Sequence, residues 1–263
     1  METFVKSSIE SGVGKITLVR PEKRNALTRN FIEQLSTAVE KLSADESLRV
    51  LILQAQGSVF CAGMDLGEMQ KRAESNSGKQ EWQKDSEDFA KLLLSLFHLE
   101  VPTIAAMQGP ALAGGVGLIL ACDFVIVSEN AFVMLPEPAR GITAAIVTPF
   151  LVHRIGEGAA NQLLLSGDRM AAERAFELGL AYAVTPHDEL QTKVGSLTAS
   201  IMTGSQSALA ITKRHLQACR GGDLNEQVAL SIGVSAEARE TVDAREGLAA
   251  FLEKRKPGWQ GER

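Results

Sequence analysis

The chain has 263 residues, 45% of them hydrophobic and 22% charged, with a net charge of −5. A chain of this length buries roughly 75% of the surface its unfolded form exposes, enough for one large core or a core with a small appendage. The acidic balance argues against a nucleic-acid partner, which calls for a basic face, but leaves room for a phosphorylated small ligand held by a few local cations.

Met1 to Glu10 has no basic segment leading into an apolar stretch, so no secretory signal is expected. Val13 to Val19 reads as a strand, followed by a polar, proline-containing loop from Arg20 to Thr28. Phe31, Leu35, Ala38, Val39 and Leu42 fall at helical spacing, with Thr28 or Asn30 available as the cap. Val50 to Ala55 is a short apolar run, read as a fully buried strand. A polar insertion from Glu68 to Ser86 predicts a mobile flap ahead of a helix over Phe89–Phe97. A second strand–loop–helix unit follows at Thr103–Met107, Gln108–Ala113 and Gly114–Ala121, and Phe124–Val127 reads as a strand. Alternation of this kind predicts an α/β architecture with mostly parallel pairing.

Val101 to Cys122 carries no charge and is long enough for a membrane span, but Pro102, Gln108, Pro110 and its glycines break it up. A strand, a tight loop and a core helix explain it better. Beyond about Pro186 the strand signals stop, and the remainder reads as helices, Ser205–Ala218 and Ala244–Lys254 the clearest, of a docking or oligomerisation element. The expected division is a core over residues 1–195 and a helical region over 196–263. Cys61, Cys122 and Cys219 are scattered and lack metal-ligand spacing, which fits a reduced, cytoplasmic setting. His98, His153, His187 and His215 show no ligand spacing either, so no metal is expected.

The chemistry concentrates in two glycine-rich loops, Phe60-Cys61-Ala62-Gly63-Met64-Asp65-Leu66 and Gln108-Gly109-Pro110-Ala111-Leu112-Ala113-Gly114-Gly115-Val116-Gly117-Leu118. Small residues at a helix start let a backbone approach a ligand and leave N–H groups unpaired. Two such groups aimed at one point would stabilise an oxyanion; alternatively, the glycines serve only tight strand–helix packing. A phosphate loop lacks its Lys-Ser or Lys-Thr pair here, and a dinucleotide fingerprint lacks its place after the first strand.

The first loop resembles the Phe-x-Ala-Gly-x-Asp-Leu signature of the crotonase (enoyl-CoA hydratase/isomerase) superfamily, and Gly109–Leu118 with Ala121-Cys122-Asp123 resembles its second signature. Arg20-Pro21, Asn25-Ala26-Leu27, Pro136-Glu137 with Gly141, and Glu246-Gly247 to Lys256 extend the likeness over nearly the whole chain.

The resemblance implies a spiral of repeated strand–strand–helix units with a C-terminal helical region that packs subunits into a homotrimer or a dimer of trimers. It implies an acyl-CoA thioester substrate, as in fatty-acid metabolism, with coenzyme A as part of that substrate, no separate cofactor and no membrane partner. By the motif match, the backbone N–H groups of Met64 and Gly114 form the oxyanion hole and Glu137 is the acid/base. The carbonyls of Ala26, Ala62 and Leu66 match positions that hold the adenine. Arg24 matches one near the phosphates, and Phe251 and Lys254 match positions that reach CoA, sometimes from a neighbouring subunit. Asp65 and Asp123 match structural positions. Met64, Phe132, Met134 and Leu135 are candidates to shape the acyl pocket.

The chain departs from the family pattern at Gly117, where hydratases of the family commonly carry a second glutamate. Glu137 acting alone, a contribution from Glu68 or His98, or a reaction needing one carboxylate would each accommodate this. Hydration of an enoyl-CoA, including a branched one, is the implied activity. Double-bond isomerisation and CoA-thioester binding with little catalysis are the alternatives. Dehalogenase relatives share the glycine but need an aspartate, and Arg140 to Leu151 offers no carboxylate. A serine protease on a similar spiral lacks its Gly-x-Ser-x-Gly turn here.

Overall fold

A computed structural model of the chain describes residues 2–73, 78–219 and 223–261. In chain order the elements are β1 (Val5–Glu10), β2 (Val13–Leu18), α1 (Arg29–Ser43), β3 (Val50–Ala55), α2 (Leu66–Ala73) and α3 (Gly78–Phe97). Next come β4 (Thr103–Met107), β5 (Ala111–Leu112), α4 (Gly114–Leu120), β6 (Phe124–Ser128), β7 (Phe132–Met134) and α5 (Thr148–Ser166). The chain ends with β8 (Met170–Ala171), α6 (Ala172–Glu177), β9 (Ala183–Thr185), α7 (Leu190–Ile201), α8 (Gln206–Ala218), α9 (Leu224–Glu240) and α10 (Val242–Leu252).

The main sheet runs β1-β2-β3-β4-β6-β9. Only the β1–β2 hairpin is antiparallel; Ile16, Leu53, Ala105 and Val125 lie side by side across the parallel part. Parallel strands covered on both faces become continuous apolar runs. In β3, Leu51 and Leu53 join the core beneath α1 and α3, whereas Val50 and Ile52 join a second cluster with Leu190 and Val194 of α7. The uncharged stretch from Val101 resolves into β4, β5 and α4 as expected, and no helix among the described residues is long and apolar enough to cross a membrane.

A second ladder runs beside the main sheet: Leu27 bridges Met64, Cys61 bridges Ala111, and β5 pairs with β7, which pairs with β8. The chain therefore repeats one path. Each turn contributes a strand to the main sheet, an extended piece to the second ladder, and then a helix: β2, Leu27, α1; β3, Cys61–Met64, α2 and α3; β4, β5, α4; β6, β7, α5. This is the repeated strand–strand–helix winding expected from the sequence.

Two points of the sequence reading need correction. The hairpin strand β1 gave no sequence signal, because Val-Lys-Ser-Ser-Ile-Glu is largely exposed and carries no clean alternation. The polar insertion Glu68–Ser86 is helical where described: α3 starts at Gly78, well before Phe89, and residues 74–77 lie outside the described residues. Its polarity belongs to helix faces that pair their charges, Arg72 with Glu68 and Lys84 with Asp88. Helix α9 lies in the tail read as helical, but its apolar residues do not form one stripe and none of them is buried in the chain, so its bounds left no clear signal.

Helix α1 is capped by Thr28, whose Oγ1 accepts from the Phe31 N–H at 3.1 Å. Helix α7 runs through residue 195 to Ile201 on the sheet, and α8, α9 and α10 pack on one another. A nearly buried ion pair anchors them: Lys213 Nζ of α8 reaches Asp123 Oδ2 at 2.7 Å and donates to the Val101 carbonyl at 3.0 Å. Asp123 Oδ2 also accepts from the Thr103 N–H and hydroxyl, which agrees with its structural reading.

Candidate active site

In every turn of the winding, the passage from second-ladder strand to helix comes to the same region, and a cavity of about 260 Å³ forms there. The first turn supplies Leu27, the second Ala62, Met64 and Leu66, the third Ala113 and Gly114, and the fourth Glu137. Ile32, Met69, Trp82, Phe89 and Val147 give it a mainly apolar lining.

The two glycine loops lie against each other. The Phe60 N–H donates to the Pro110 carbonyl at 3.0 Å, and the Leu112 N–H to the Cys61 carbonyl at 2.9 Å. Leu27 in turn donates to the Gly63 carbonyl and accepts from the Asp65 N–H, at 2.8 and 2.9 Å. Leu27 thus pairs with the neighbours of Met64, and the Met64 N–H points to the other side of its strand. Gly114 follows Ala113, which adopts φ 51 and ψ −123, a conformation that costs a residue with a side chain about 1–3 kcal/mol. That turn, held by the Ala113 N–H on the Met134 carbonyl at 3.0 Å, swings the Gly114 peptide away from the strand. Among the described residues, neither the Met64 nor the Gly114 N–H meets an acceptor. Gly115 is equally constrained, since a Cβ there would sit 2.4 Å from the Cys61 carbonyl oxygen.

Glu137 sits after β7 between Pro136 and Pro138, at the head of a short 3₁₀ turn (Pro138–Arg140) whose Arg140 N–H donates to the Glu137 carbonyl at 2.9 Å. It is 7% exposed, and its Oε2 is buried with no hydrogen-bond partner. Burial pushes its pKa above the ordinary glutamate value, opposed by its own backbone N–H and by the Arg140 charge. Asp65 behaves oppositely. Burial works against its ionisation, but the Arg20 guanidinium at 2.8 Å and the N–H groups of Glu68 and Gly67 outweigh it and hold the carboxyl below its usual range. Asp65 thereby starts α2, in line with its structural reading. Cys61 and Cys122 are buried thiols pushed up to about 12 by desolvation.

The other expected residues fall into three groups. Ala62 and Leu66 line the cavity; Ala26 and Arg24 lie in the loop behind it. The Ala26 carbonyl accepts from Arg20 at 2.8 Å, and the Arg24 carbonyl from the Ala62 N–H at 3.0 Å. Phe251, 82% exposed, and Lys254 lie at and just beyond the end of α10, off the cavity of their own chain.

Among the candidates for a second function, His98 is away from the cavity, bonded to Gln217. Glu68 does line it, but its Oε2 already accepts from the Arg29 N–H at 3.2 Å and from Arg72 at 3.3 Å. Of the four proposed pocket-shaping residues only Met64 lines the cavity; Leu135 is buried in the core, and Phe132, under the Arg169 guanidinium, and Met134 are half-buried away from it. A Cβ on Gly117 would meet Leu93 at 3.0 Å, Val147 at 3.2 Å and Phe89 at 3.4 Å, so apolar side chains occupy the space a larger residue would need.

Sequence reading missed the wall supplied by α3 (Trp82, Ser86, Phe89) and by Ile142–Val147, as well as Arg140. Arg140 did leave a signal: it is the only charged residue between Glu137 and His153.

A family model described as Enoyl-CoA hydratase/isomerase matches residues 8–262. The chain is 34% identical over 262 residues to an enoyl-CoA isomerase/hydratase of Mycosarcoma maydis, covering 96% of this chain and 94% of that protein. It is 32% identical over 256 residues to the 2,3-dehydroadipyl-CoA hydratase of Escherichia coli K12, covering 94% of each. In structure it resembles an enoyl-CoA hydratase of Mycobacterium smegmatis with a TM-score of 0.92 at 30% identity, over 99% of this chain and all of the other. The motifs, the winding and these likenesses agree, and the chain belongs to the enoyl-CoA hydratase/isomerase family of enzymes, with the crotonase fold.

Proposed function

We propose that the protein adds water across the double bond of an enoyl-CoA, straight or branched, with Glu137 as the acid/base. The observation that carries this is the buried, unpartnered Oε2 of Glu137 on the same cavity as the free N–H groups of Met64 and Gly114. The thioester oxygen accepts from both N–H groups. As a water oxygen bonds to the β-carbon, the thioester becomes an enolate, and two fixed dipoles stabilise its developing charge. Ionised Glu137 takes the proton that this water loses and returns it to the α-carbon, giving a 3-hydroxyacyl-CoA and restoring the carboxylate. A carboxyl with a raised pKa suits both transfers near neutral pH.

Coenzyme A arrives as part of the substrate, so no separate cofactor enters. Its adenine is held by the carbonyls of Ala26, Ala62 and Leu66, its phosphates by Arg24, and Phe251 and Lys254 reach CoA bound to a neighbouring subunit. The exposure of Phe251 supports the last assignment. The enzyme works in the cytoplasm, in lipid metabolism, as a homotrimer or dimer of trimers. Leu224, Ile232, Val242, Leu248 and Leu252, all more than half exposed in the single chain, support an assembly through the tail helices.

A second reading, isomerisation of an enoyl-CoA double bond, is favoured by the apolar packing around Gly117, which leaves Glu137 to work alone. One base can move a proton from one carbon to another. Turnover of short enoyl-CoAs in deuterated water separates the two. Hydration gives a 3-hydroxyacyl product with deuterium at the α-carbon, and isomerisation gives a shifted alkene. Absence of both products across the panel would sink both readings.

A further inference from the structure

The charges on the cavity wall are almost all matched within the protein. Arg29 and Arg72 share Asp85; Arg29 also pairs with Glu81 at 3.2 Å and Arg72 with Glu68 at 3.3 Å. Asp65 is held by Arg20. Two charged residues remain, and both belong to the same short turn: Glu137 with its unpartnered Oε2, and Arg140. Among the described residues the Arg140 guanidinium makes no ion pair and no hydrogen bond. Its backbone is fixed, since its N–H is bonded to the Glu137 carbonyl and Gly141 closes the turn at φ 71. The mainly apolar cavity thus carries one cation that no carboxylate pairs or hydrogen-bonds, one turn of chain from the acid/base whose charge it senses. Arg140 is also exposed, so an anion reaching it keeps part of its hydration.

We infer that Arg140 is a specificity determinant that receives a second anionic group, a carboxylate on the acyl chain a few carbons from the double bond, so that the favoured substrates are enoyl thioesters of dicarboxylic acids. Guanidinium and carboxylate match in shape as well as charge, and a charge-assisted pair of this kind selects the acid over its uncharged analogue. This rests on the enoyl-CoA reading above. The same cation could instead meet a phosphate of CoA, and the experiment separates the two sources.

Wild type, Arg140→Leu and Arg140→Lys are assayed for kcat/KM on an enoyl-CoA ending in a carboxylate, on its methyl ester and on crotonyl-CoA, and binding of free CoA is measured by calorimetry. The readout is the ratio of kcat/KM for the acid to that for its ester, which cancels any common effect on Glu137. The expected result is a ratio that falls about 10–100-fold in Arg140→Leu, the range for losing a hydrogen bond to a charged group, and recovers in part in Arg140→Lys. An unchanged ratio in enzymes that still turn over the neutral thioesters overturns this inference alone. Equal loss on all three thioesters with weakened free-CoA binding assigns Arg140 to a phosphate and also overturns it. A wild type inactive on every thioester overturns the enoyl-CoA reading, and this one with it.

Discussion

Gly63 and Ala113 back onto each other so closely that a Cβ on Gly63 would lie 2.5 Å from that of Ala113 and 3.1 Å from the Gly114 nitrogen. Gly63 also sits at φ 85, which L side chains rarely adopt. The loops that carry the Met64 and Gly114 N–H groups are therefore set by one contact that only glycine allows. Gly63→Ala must part them, and the expected result is a loss of about 10²–10³ in kcat, the range for losing one oxyanion donor. Steady-state kinetics beside a circular dichroism spectrum checks it; near-normal kcat in a folded variant would mean the two N–H groups do not act together.

Glu137→Gln should keep the fold and acyl-CoA affinity while lowering kcat by about 10²–10⁴, the usual contribution of a general acid/base. KM should barely move, as for an interaction made only in the transition state. A variant that retains more than about half of the activity would place the acid/base elsewhere, and Glu68, which also lines the cavity, would be tested next.

The same substitution has a pH signature in stability. The unfolded chain ionises this glutamate near its ordinary value of about 4.3, whereas burial raises the value in the folded protein. Below the ordinary value the group is protonated in both states and nothing is lost. As pH rises past it, the unfolded state ionises first, so the folded state loses relative stability until the raised pKa is passed. Glu137→Gln should therefore show a higher Tm than wild type at pH 7 and a smaller difference at pH 4. A Tm difference that is the same at both pH values would contradict the raised pKa. The acid limb of kcat/KM should likewise lie above about 4.3.

Gly117→Glu tests whether a second carboxylate can be restored. Leu93, Val147 and Phe89 already fill that space. Overpacking costs about 1–3 kcal/mol, each kcal/mol lowering Tm by about 2–4 °C in a chain this size, and a buried charge adds to it. Calorimetry should show the lower Tm and hydration should not rise. Faster hydration at unchanged Tm would mean that the apolar wall yields easily.

Leu248→Asp combined with Phe251→Asp on α10 should shift a trimeric or hexameric protein toward monomers, because both side chains stand exposed in the single chain. Size exclusion with light scattering checks this. An unchanged oligomer would move the interface off α10, and a wild-type monomer at micromolar concentration would end the assembly proposal.

The legible parts of the molecule were those where local chemistry and burial agree. Val50–Ala55 is apolar on both faces because it is covered on both, and Thr28 announces α1 by its capping position. The roles proposed for Met64, Gly114 and Glu137 rest on resemblance, since a backbone donor leaves no mark on its own side chain and a lone glutamate after a proline none on its neighbours. Trp82 and Phe89 come to the cavity through the packing of α3, which runs past residues read as a polar flap. Phe132, Met134 and Leu135 do not line the cavity, because nearness in sequence to Glu137 does not bring a side chain to it. Arg140 was visible as an isolated charge, but its lack of a partner is a property of the fold.

The winding has a consequence for synthesis. Parallel strands join the main sheet in chain order from β2 through β3 and β4 to β6, and each turn brings one wall of the cavity. A chain emerging N-terminus first therefore joins its two glycine loops, Leu112 on Cys61, before Glu137 has left the ribosome, but the turn that aims the Gly114 N–H waits for the Met134 carbonyl. The fourth turn thus brings Glu137 and finishes the wall that precedes it in one step, and a nascent chain stalled between the third and fourth turns would hold an incomplete site.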